Sequence, residues 1–149
     1  MSFEIRRAVE TDIPDILTLI RAIAEYEKMS DEVVATEKSL HKAMFEENIA
    51  HCLMAIEDGK AVGYALYFYN FSTFVGKKGL YLEDLYLYPE MRKKGYGKLL
   101  FNELLAIAKS EDCTRMEWCC LNWNTQSQEF YKSLGAVPMD EWTTWRLIN

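Results

Sequence analysis

Long hydrophobic runs are missing from this sequence. No stretch is apolar for long enough to cross a bilayer, and the opening MSFEIRRAVETD lacks the apolar core of a secretion signal. A membrane protein and an exported one are excluded on that reading, and a cytoplasmic chain is expected. Histidine is scarce too: His41 and His51 are poor material for a zinc site, so no metal is expected. The cysteines Cys52, Cys113, Cys119 and Cys120 show neither C-x-x-C spacing nor the density of a disulfide-built domain. They read as reduced thiols acting as small apolar side chains. Positive charge is in deficit, with 17 Lys and Arg against 23 Asp and Glu, a net charge of −6. Nucleic acid demands the opposite balance, whereas a cationic small molecule suits this one. Low-complexity tracts and repeats of solenoid period are absent as well.

What is present fits one domain over residues 1–149, long enough to bury a core without metal or disulfide support. Residues 3–9 alternate weakly, as a short strand. Thr11 and Asp12 offer a helix cap, Pro14 suits a first turn, and Ile13, Ile16, Leu17, Ile20, Ile23 and Ala24 recur at helical spacing, which predicts a helix to about Lys28. A shorter helix follows the cap residue Thr36 and fades near Glu46. Two strands over 51–57 and 61–71 flank Asp58-Gly59, a hairpin signal. A polar loop over 72–79 leads to a central strand over 80–87. Leu99, Leu100, Leu104, Leu105 and Ala108 then mark a third amphipathic helix. Residues 115–121 read as a strand, 125–134 as a short helix ending at Gly135, and 142–148 as a final strand. The order predicts a mixed sheet with helices on its faces.

The chain is organised around residues 80–100, LYLEDLYLYPEMRKKGYGKLL. A strand that feeds a basic, glycine-punctuated turn and then a helix N-terminus aims backbone N–H groups and a partial positive charge at one point, which suits a phosphate. Alone, R-x-x-G-x-G is equally a solvated turn; its place between strand and helix favours a ligand. The P-loop lysine followed by Ser or Thr is absent, and a Rossmann fingerprint belongs after a first strand. Glu83 and Asp84 lie inside an otherwise apolar strand, where desolvation makes a carboxylate costly unless it is paired or used. Successive strand residues face opposite sides, so only one of the two is expected to point into a given cleft. In NTQSQEFYKSLG, Phe130 and Leu134 read as core, and Tyr131 as core with a hydroxyl that wants a partner.

These three pieces, in this order, resemble the GNAT superfamily of N-acetyltransferases over essentially the whole chain. RKKGYG matches its pyrophosphate loop and NWN…FYKSLGA its second acetyl-CoA motif. LYLED, AEYEKMSDEV and FYKSLGA are closer to the diamine and thialysine acetyltransferase subgroup. The resemblance implies an α/β (α+β) GNAT fold, a single mixed, mostly antiparallel central sheet with helices on both faces and a splayed central strand pair. It implies that the backbone of Leu85, Tyr86 and Leu87 aligns the pantetheine arm of acetyl-CoA, and that Arg92, Lys93, Lys94, Gly95, Tyr96, Gly97 and Lys98 wrap the pyrophosphate. Asn124, Thr125, Gln126 and Ser127 would meet the other side of the cosubstrate. Tyr131 matches the general acid that protonates the departing thiolate, and Glu83 the carboxylate that relieves the amine of its proton. Tyr26, Glu27, Asp84, Glu117, Trp118 and Cys119 match substrate-facing positions. Where the diamine enzymes grip a polyamine with an aspartate and a tryptophan, this chain has Ser72 and Phe74, closer to the thialysine-acetylating relatives. Close relatives are homodimers, so a homodimer is expected.

The implied activity is acetyl-CoA-dependent N-acetylation of a small cationic primary amine by direct transfer, with no covalent enzyme intermediate and no metal. Two other activities are compatible with the same residues. One is N-acetylation of a protein or peptide; the other is a non-catalytic acyl-CoA sensor, which the presence of both Glu83 and Tyr131 disfavours.

Overall fold

The computed structural model describes residues 2–149, which fall into two units, 2–118 and 119–149. The first unit is built on a five-stranded sheet in the order β1-β2-β3-β4-β5. Its strands are β1 (Phe3–Arg7), β2 (His51–Glu57), β3 (Lys60–Ser72), β4 (Lys77–Leu87) and β5 (Met116–Trp118). Neighbours pair antiparallel except β4 and β5, which run parallel, so the mixed, mostly antiparallel sheet expected from the sequence is what forms. Asp58 and Gly59 both take positive φ (51° and 81°) and make the tight turn that their identity signals between β2 and β3.

Three helices belong to this unit: α1 (Ile13–Tyr26), α2 (Glu37–His41), which runs on into a π turn over Lys42–Glu46, and α3 (Tyr96–Ser110). Ile13, Ile16, Leu19 and Ile23 of α1 share a core with Cys52, Met54 and Ile56 of β2, Tyr64 and Leu66 of β3 and Tyr86 of β4. The alternate residues of the same strands, Leu53, Ala55, Ala65, Tyr67, Leu80 and Leu82, are equally buried and face the other way, as do Leu100, Phe101 and Leu104 of α3. The sheet thus carries a helix layer on each face. Each fully buried aliphatic side chain contributes roughly 1.5–3 kcal/mol.

Several expectations need correction. Asp12 stands at the N-cap of α1, as the sequence suggests, but its side chain makes no cap hydrogen bond to that helix. Its carboxylate instead accepts from Arg6 (Nη1 to Oδ2 2.7 Å, Nη2 to Oδ1 3.0 Å) and from the Val9 backbone at 2.7 Å, tying β1 to the start of α1. The loop over 72–79 is shorter than predicted, because β3 extends through Ser72 and β4 starts at Lys77. Ser72 closes the turn itself: its Oγ accepts from Val75 N at 3.3 Å and its carbonyl from Gly76 N at 2.8 Å. Phe74 is 99% exposed at the tip.

In the second unit, α4 (Thr125–Ser133) starts at Asn124, whose Oδ1 accepts from Ser127 N at 3.2 Å. It ends with Gly135 at φ 89°, where Gly135 N reaches the Lys132 carbonyl and Ala136 N the Tyr131 carbonyl. That is a Schellman close, and glycine is there because the left-handed backbone costs a side-chain-bearing residue about 1 kcal/mol. The strand predicted over 142–148 does not form; the tail carries no regular element, since alternation alone supplies no partner for the backbone N–H and C=O groups.

Candidate active site

The site in the first unit begins with an irregularity in β4. Tyr67 of β3 lies opposite Leu82, but its neighbour Leu66 lies opposite Asp84, so Glu83 is an extra residue in the β3–β4 register. This is a β-bulge. Cross-strand partners share a face. Leu82 therefore stays with Tyr67 on the α3 face, while Asp84 joins Leu66 on the α1 face. A regular strand would have put Leu82 and Asp84 on the same side. The bulge re-aims the acidic pair, and it is a feature that the alternation of LYLED does not announce.

Asp84 accepts a hydrogen bond from the Tyr64 hydroxyl at 2.7 Å. Burial holds its carboxyl above the usual range, and the Tyr64 bond pulls it part of the way back. Tyr64 is fully buried, and burial together with Asp84 drives its phenol well above its ordinary value, so it stays a donor. Glu27 caps the end of α1, and burial, then Asp84, then Glu83, raise its carboxyl as well. Glu27, Glu83 and Asp84 are thus electrostatically coupled, with Glu83 the exposed member. The chain turns sharply after Glu27 through Lys28 at φ 61°, with Met29 N bonded back to the Ala24 carbonyl at 2.8 Å, which fixes where the end of α1 points.

An aromatic wall adjoins the cluster. The Tyr26 and Tyr86 ring centroids are 6.4 Å apart, and Tyr88 meets Tyr86 edge-on at 5.9 Å. The Arg92 guanidinium lies 4.9 Å from the Tyr26 ring and 5.6 Å from that of Tyr86, and its Nε donates to the Leu87 carbonyl at 3.3 Å. Arg92, expected at the pyrophosphate, thus has its side chain over Tyr26 and Tyr86. With its side chain in the core, Tyr86 has only its backbone to offer a ligand.

At the end of β4 the chain passes through a turn at Pro89–Met91 and enters α3. Lys93 (φ 65°) and Gly95 (φ 83°) both take the left-handed conformation, and Gly95 is the N-cap of α3 with no side chain capping the helix. The first N–H groups of a helix have no intrahelical partner, and alternating backbone conformations of this kind gather N–H groups into an anion-binding concavity. Lys93 and Lys98 are exposed beside it. β4 itself pairs with β5 only through Leu80, Tyr81 and Leu82 but with β3 as far as Leu87, so Leu85, Tyr86 and Leu87 have no β5 partner. Gly63 allows β3 to close on this end of β4, since a Cβ there would come within 2.6 Å of the Tyr86 carbonyl. A pantetheine chain with its amides and a pyrophosphate fit these two features: a strand edge for the first and an N–H concavity with cations for the second.

The other predicted residues are distributed as follows. Glu117 pairs with Arg115 at 3.3 Å and lies opposite Tyr81 on β5. Trp118 meets the Phe101 ring of α3 edge-on, at 5.1 Å between centroids. In the second unit Cys119 is exposed, Asn124 is buried as the α4 cap, Thr125 and Gln126 are exposed, Ser127 is half-buried, and Tyr131 is half-buried with its ring 5.8 Å from that of Phe130. Sequence reasoning missed Tyr64, which it read as one more packing aromatic of its strand; only the bulged register brings it to Asp84.

Bulged carboxylates, a strand edge without a β5 partner and an uncapped basic helix start are features that an acyl-CoA-dependent transferase could use. The chain belongs to the acetyltransferase (GNAT) family, whose model matches residues 14–136, and it is an acetyltransferase. It is 37% identical over 154 residues to the thialysine N-epsilon-acetyltransferase of Bos taurus, covering 97% of this chain and 90% of the bovine protein. It is 27% identical to the L-ornithine N5-acetyltransferase NATA1 of Arabidopsis thaliana, covering 100% and 86% respectively. Among solved structures, an integron cassette protein from the mobile metagenome of V. cholerae matches with a TM-score of 0.83 at 28% identity, over 100% of this chain and 94% of that one.

Proposed function

We propose that this chain transfers the acetyl group of acetyl-CoA directly to a small cationic primary amine, of the size of thialysine, ornithine or a diamine. The observation that carries the proposal is the coupled set Glu27, Glu83 and Asp84, which offers a compact negative site to an ammonium group. It is supported by the names of the bovine and Arabidopsis relatives.

A lysine-like amine has a pKa near ~10.4, so roughly one molecule in a few thousand is nucleophilic at neutral pH, and the enzyme must take its proton. Glu83, exposed at the bulge, is the residue proposed to do so, directly or through water. Asp84 and Glu27 hold the ammonium beforehand. Glu117 and the 117–119 segment complete the amine side. Leu85, Tyr86 and Leu87 offer backbone groups to the pantetheine arm, and Lys93, Gly95, Tyr96, Gly97 and Lys98 line the pyrophosphate turn. Thr125, Gln126 and Ser127 are proposed for the remaining cosubstrate contacts. Asn124 takes part through its backbone, its side chain being committed to the α4 cap. When bound, acetyl-CoA supplies a thioester whose thiolate leaves readily; Tyr131 is proposed to protonate it. The 149 residues act as one acetyltransferase domain in the cytoplasm, as a homodimer, with an amine and not a nucleic acid or membrane as partner. No helix among the described residues is long and apolar enough to cross a membrane.

Thiol release from acetyl-CoA against thialysine, lysine, ornithine, diamines, aminoglycosides and peptides tests the proposal. Release with a small diamino compound is expected. Release with peptides alone would make the chain a protein acetyltransferase, and release with none of them would overturn the catalytic reading. Tyr131→Phe is expected to lower kcat about a hundredfold, the lower end of a general acid's contribution, with the KM for acetyl-CoA little changed. An unaltered kcat would remove Tyr131 from the acid role.

A further inference from the structure

Glu57 ends β2 and is only 7% exposed, an unusual place for a carboxylate at a strand end. Two side chains meet it, and both come from the turn that opens α3. The Tyr96 hydroxyl donates to Glu57 Oε2, and Lys94 Nζ lies 3.4 Å from each carboxylate oxygen. The Tyr96 ring is also stacked on Phe3 of β1, with centroids 3.7 Å apart and planes 7° from parallel. Phe3 is the cross-strand partner of Glu57. The residues on either side of Gly95 are therefore both turned back onto the β1–β2 edge, while Gly95 itself, at φ 83°, has open space where a Cβ would stand. Tying the Lys94 and Tyr96 side chains to Glu57 leaves the open side at Gly95 for an anion to approach the backbone, which is what an N–H concavity requires.

We infer that Glu57 is a positioning residue for the acetyl donor: it clamps Lys94 and Tyr96 so that the turn over 92–97 presents its backbone N–H groups to the pyrophosphate. This rests on the reading of that turn as the pyrophosphate site. It also changes the part of Lys94. With its ammonium on a buried carboxylate, Lys94 is a strut, and attraction for phosphate falls to Lys93 and Lys98. A turn released from Glu57 would sample other conformations and bind the donor only in the competent one, which lowers apparent affinity by the lost fraction.

The test compares two donors, acetyl-CoA and S-acetylpantetheine, which carries the same thioester and amides but no phosphate. Glu57→Ala, shown to unfold cooperatively, is expected to raise the KM for acetyl-CoA about tenfold, the order lost with a hydrogen bond to a charged group. The KM for S-acetylpantetheine and for the amine should stay within about twofold, inside ordinary surface-substitution effects. Glu57→Gln keeps an acceptor for Tyr96 and should recover much of the loss. If Glu57→Ala does not fold, Tyr96→Phe, which retains the stack on Phe3, takes its place, with a rise of about threefold expected for one neutral hydrogen bond. An acetyl-CoA KM that does not move would overturn the inference, as would equal losses with both donors. A wild-type enzyme that does not prefer acetyl-CoA to S-acetylpantetheine would overturn the pyrophosphate reading itself and the inference with it.

Discussion

At the scale of single residues, Asp84 shows how a buried carboxylate opposes stability at neutral pH. Burial raises its carboxyl above the ordinary range, so between its unfolded value, near ~3.9, and its folded value the native state holds more protons than the unfolded chain. Its contribution to stability is therefore most favourable in acid and is lost as pH rises through the folded value. Glu27, raised by burial and by the same neighbours, has the same sign. Asp84→Asn keeps an acceptor for the Tyr64 hydroxyl and removes the charge. It is expected to raise Tm at neutral pH, with the gain shrinking toward acid, while the KM for the amine rises about tenfold through loss of a charged contact. Thermal melts across pH with amine kinetics on the same preparation check both halves; a fall in Tm at neutral pH would count against a desolvated, strained Asp84. That Glu83 and Asp84 stand out was legible in LYLED, because carboxylates are rare in apolar strands. That Tyr64 donates to one of them was not, because it depends on the extra residue Glu83 in the ladder and on a partner twenty positions away.

At the scale of elements, the Arg6–Asp12 pair shows the opposite sign. Asp12 is only 6% exposed and its carboxyl is held below the ordinary range, first by the Arg6 hydrogen bonds. Stability from this pair is present above the unfolded value near ~3.9 and is lost as pH falls through the folded one. Asp12→Ala is expected to cost about 2 kcal/mol at neutral pH, the order for hydrogen bonds to a charged group, and much less in acid. Urea unfolding at several pH values measures the difference, and a pH-independent loss would show that packing and not the pair is responsible. Elements whose ends are set by local chemistry were readable in advance: Asp58-Gly59 turns, Thr36 caps by accepting from Ser39 N, and Gly135 closes α4. Asp12 does stand at the N-cap of α1, but what its side chain bonds was not readable, because that depends on Arg6 lying beside it. The turn over 73–76 was read too long because strand ends depend on the ladder partner and not on polarity.

At the scale of the whole molecule, the tail is the part that local pattern misjudged most. Trp142, Trp145, Leu147 and Ile148 are 77%, 89%, 93% and 79% exposed, although their alternation is that of a strand with one apolar face. A strand pattern without a partner remains unpaired, and soluble monomers rarely leave such side chains uncovered together. A second copy of the chain can supply what is missing twice over, since an interface with twofold symmetry buries both tails by the same contacts. Each tryptophan offers about 150–250 Å² to such an interface, at roughly 25 cal/mol per Å². The expected outcome is a mass by light scattering of twice 17.4 kDa for the full chain. A chain ended after Glu141 should scatter as a monomer if the tail makes the contact. A full chain that stays at 17.4 kDa at micromolar concentration would rule out the homodimer, and a truncated chain that still dimerises would move the interface to another surface.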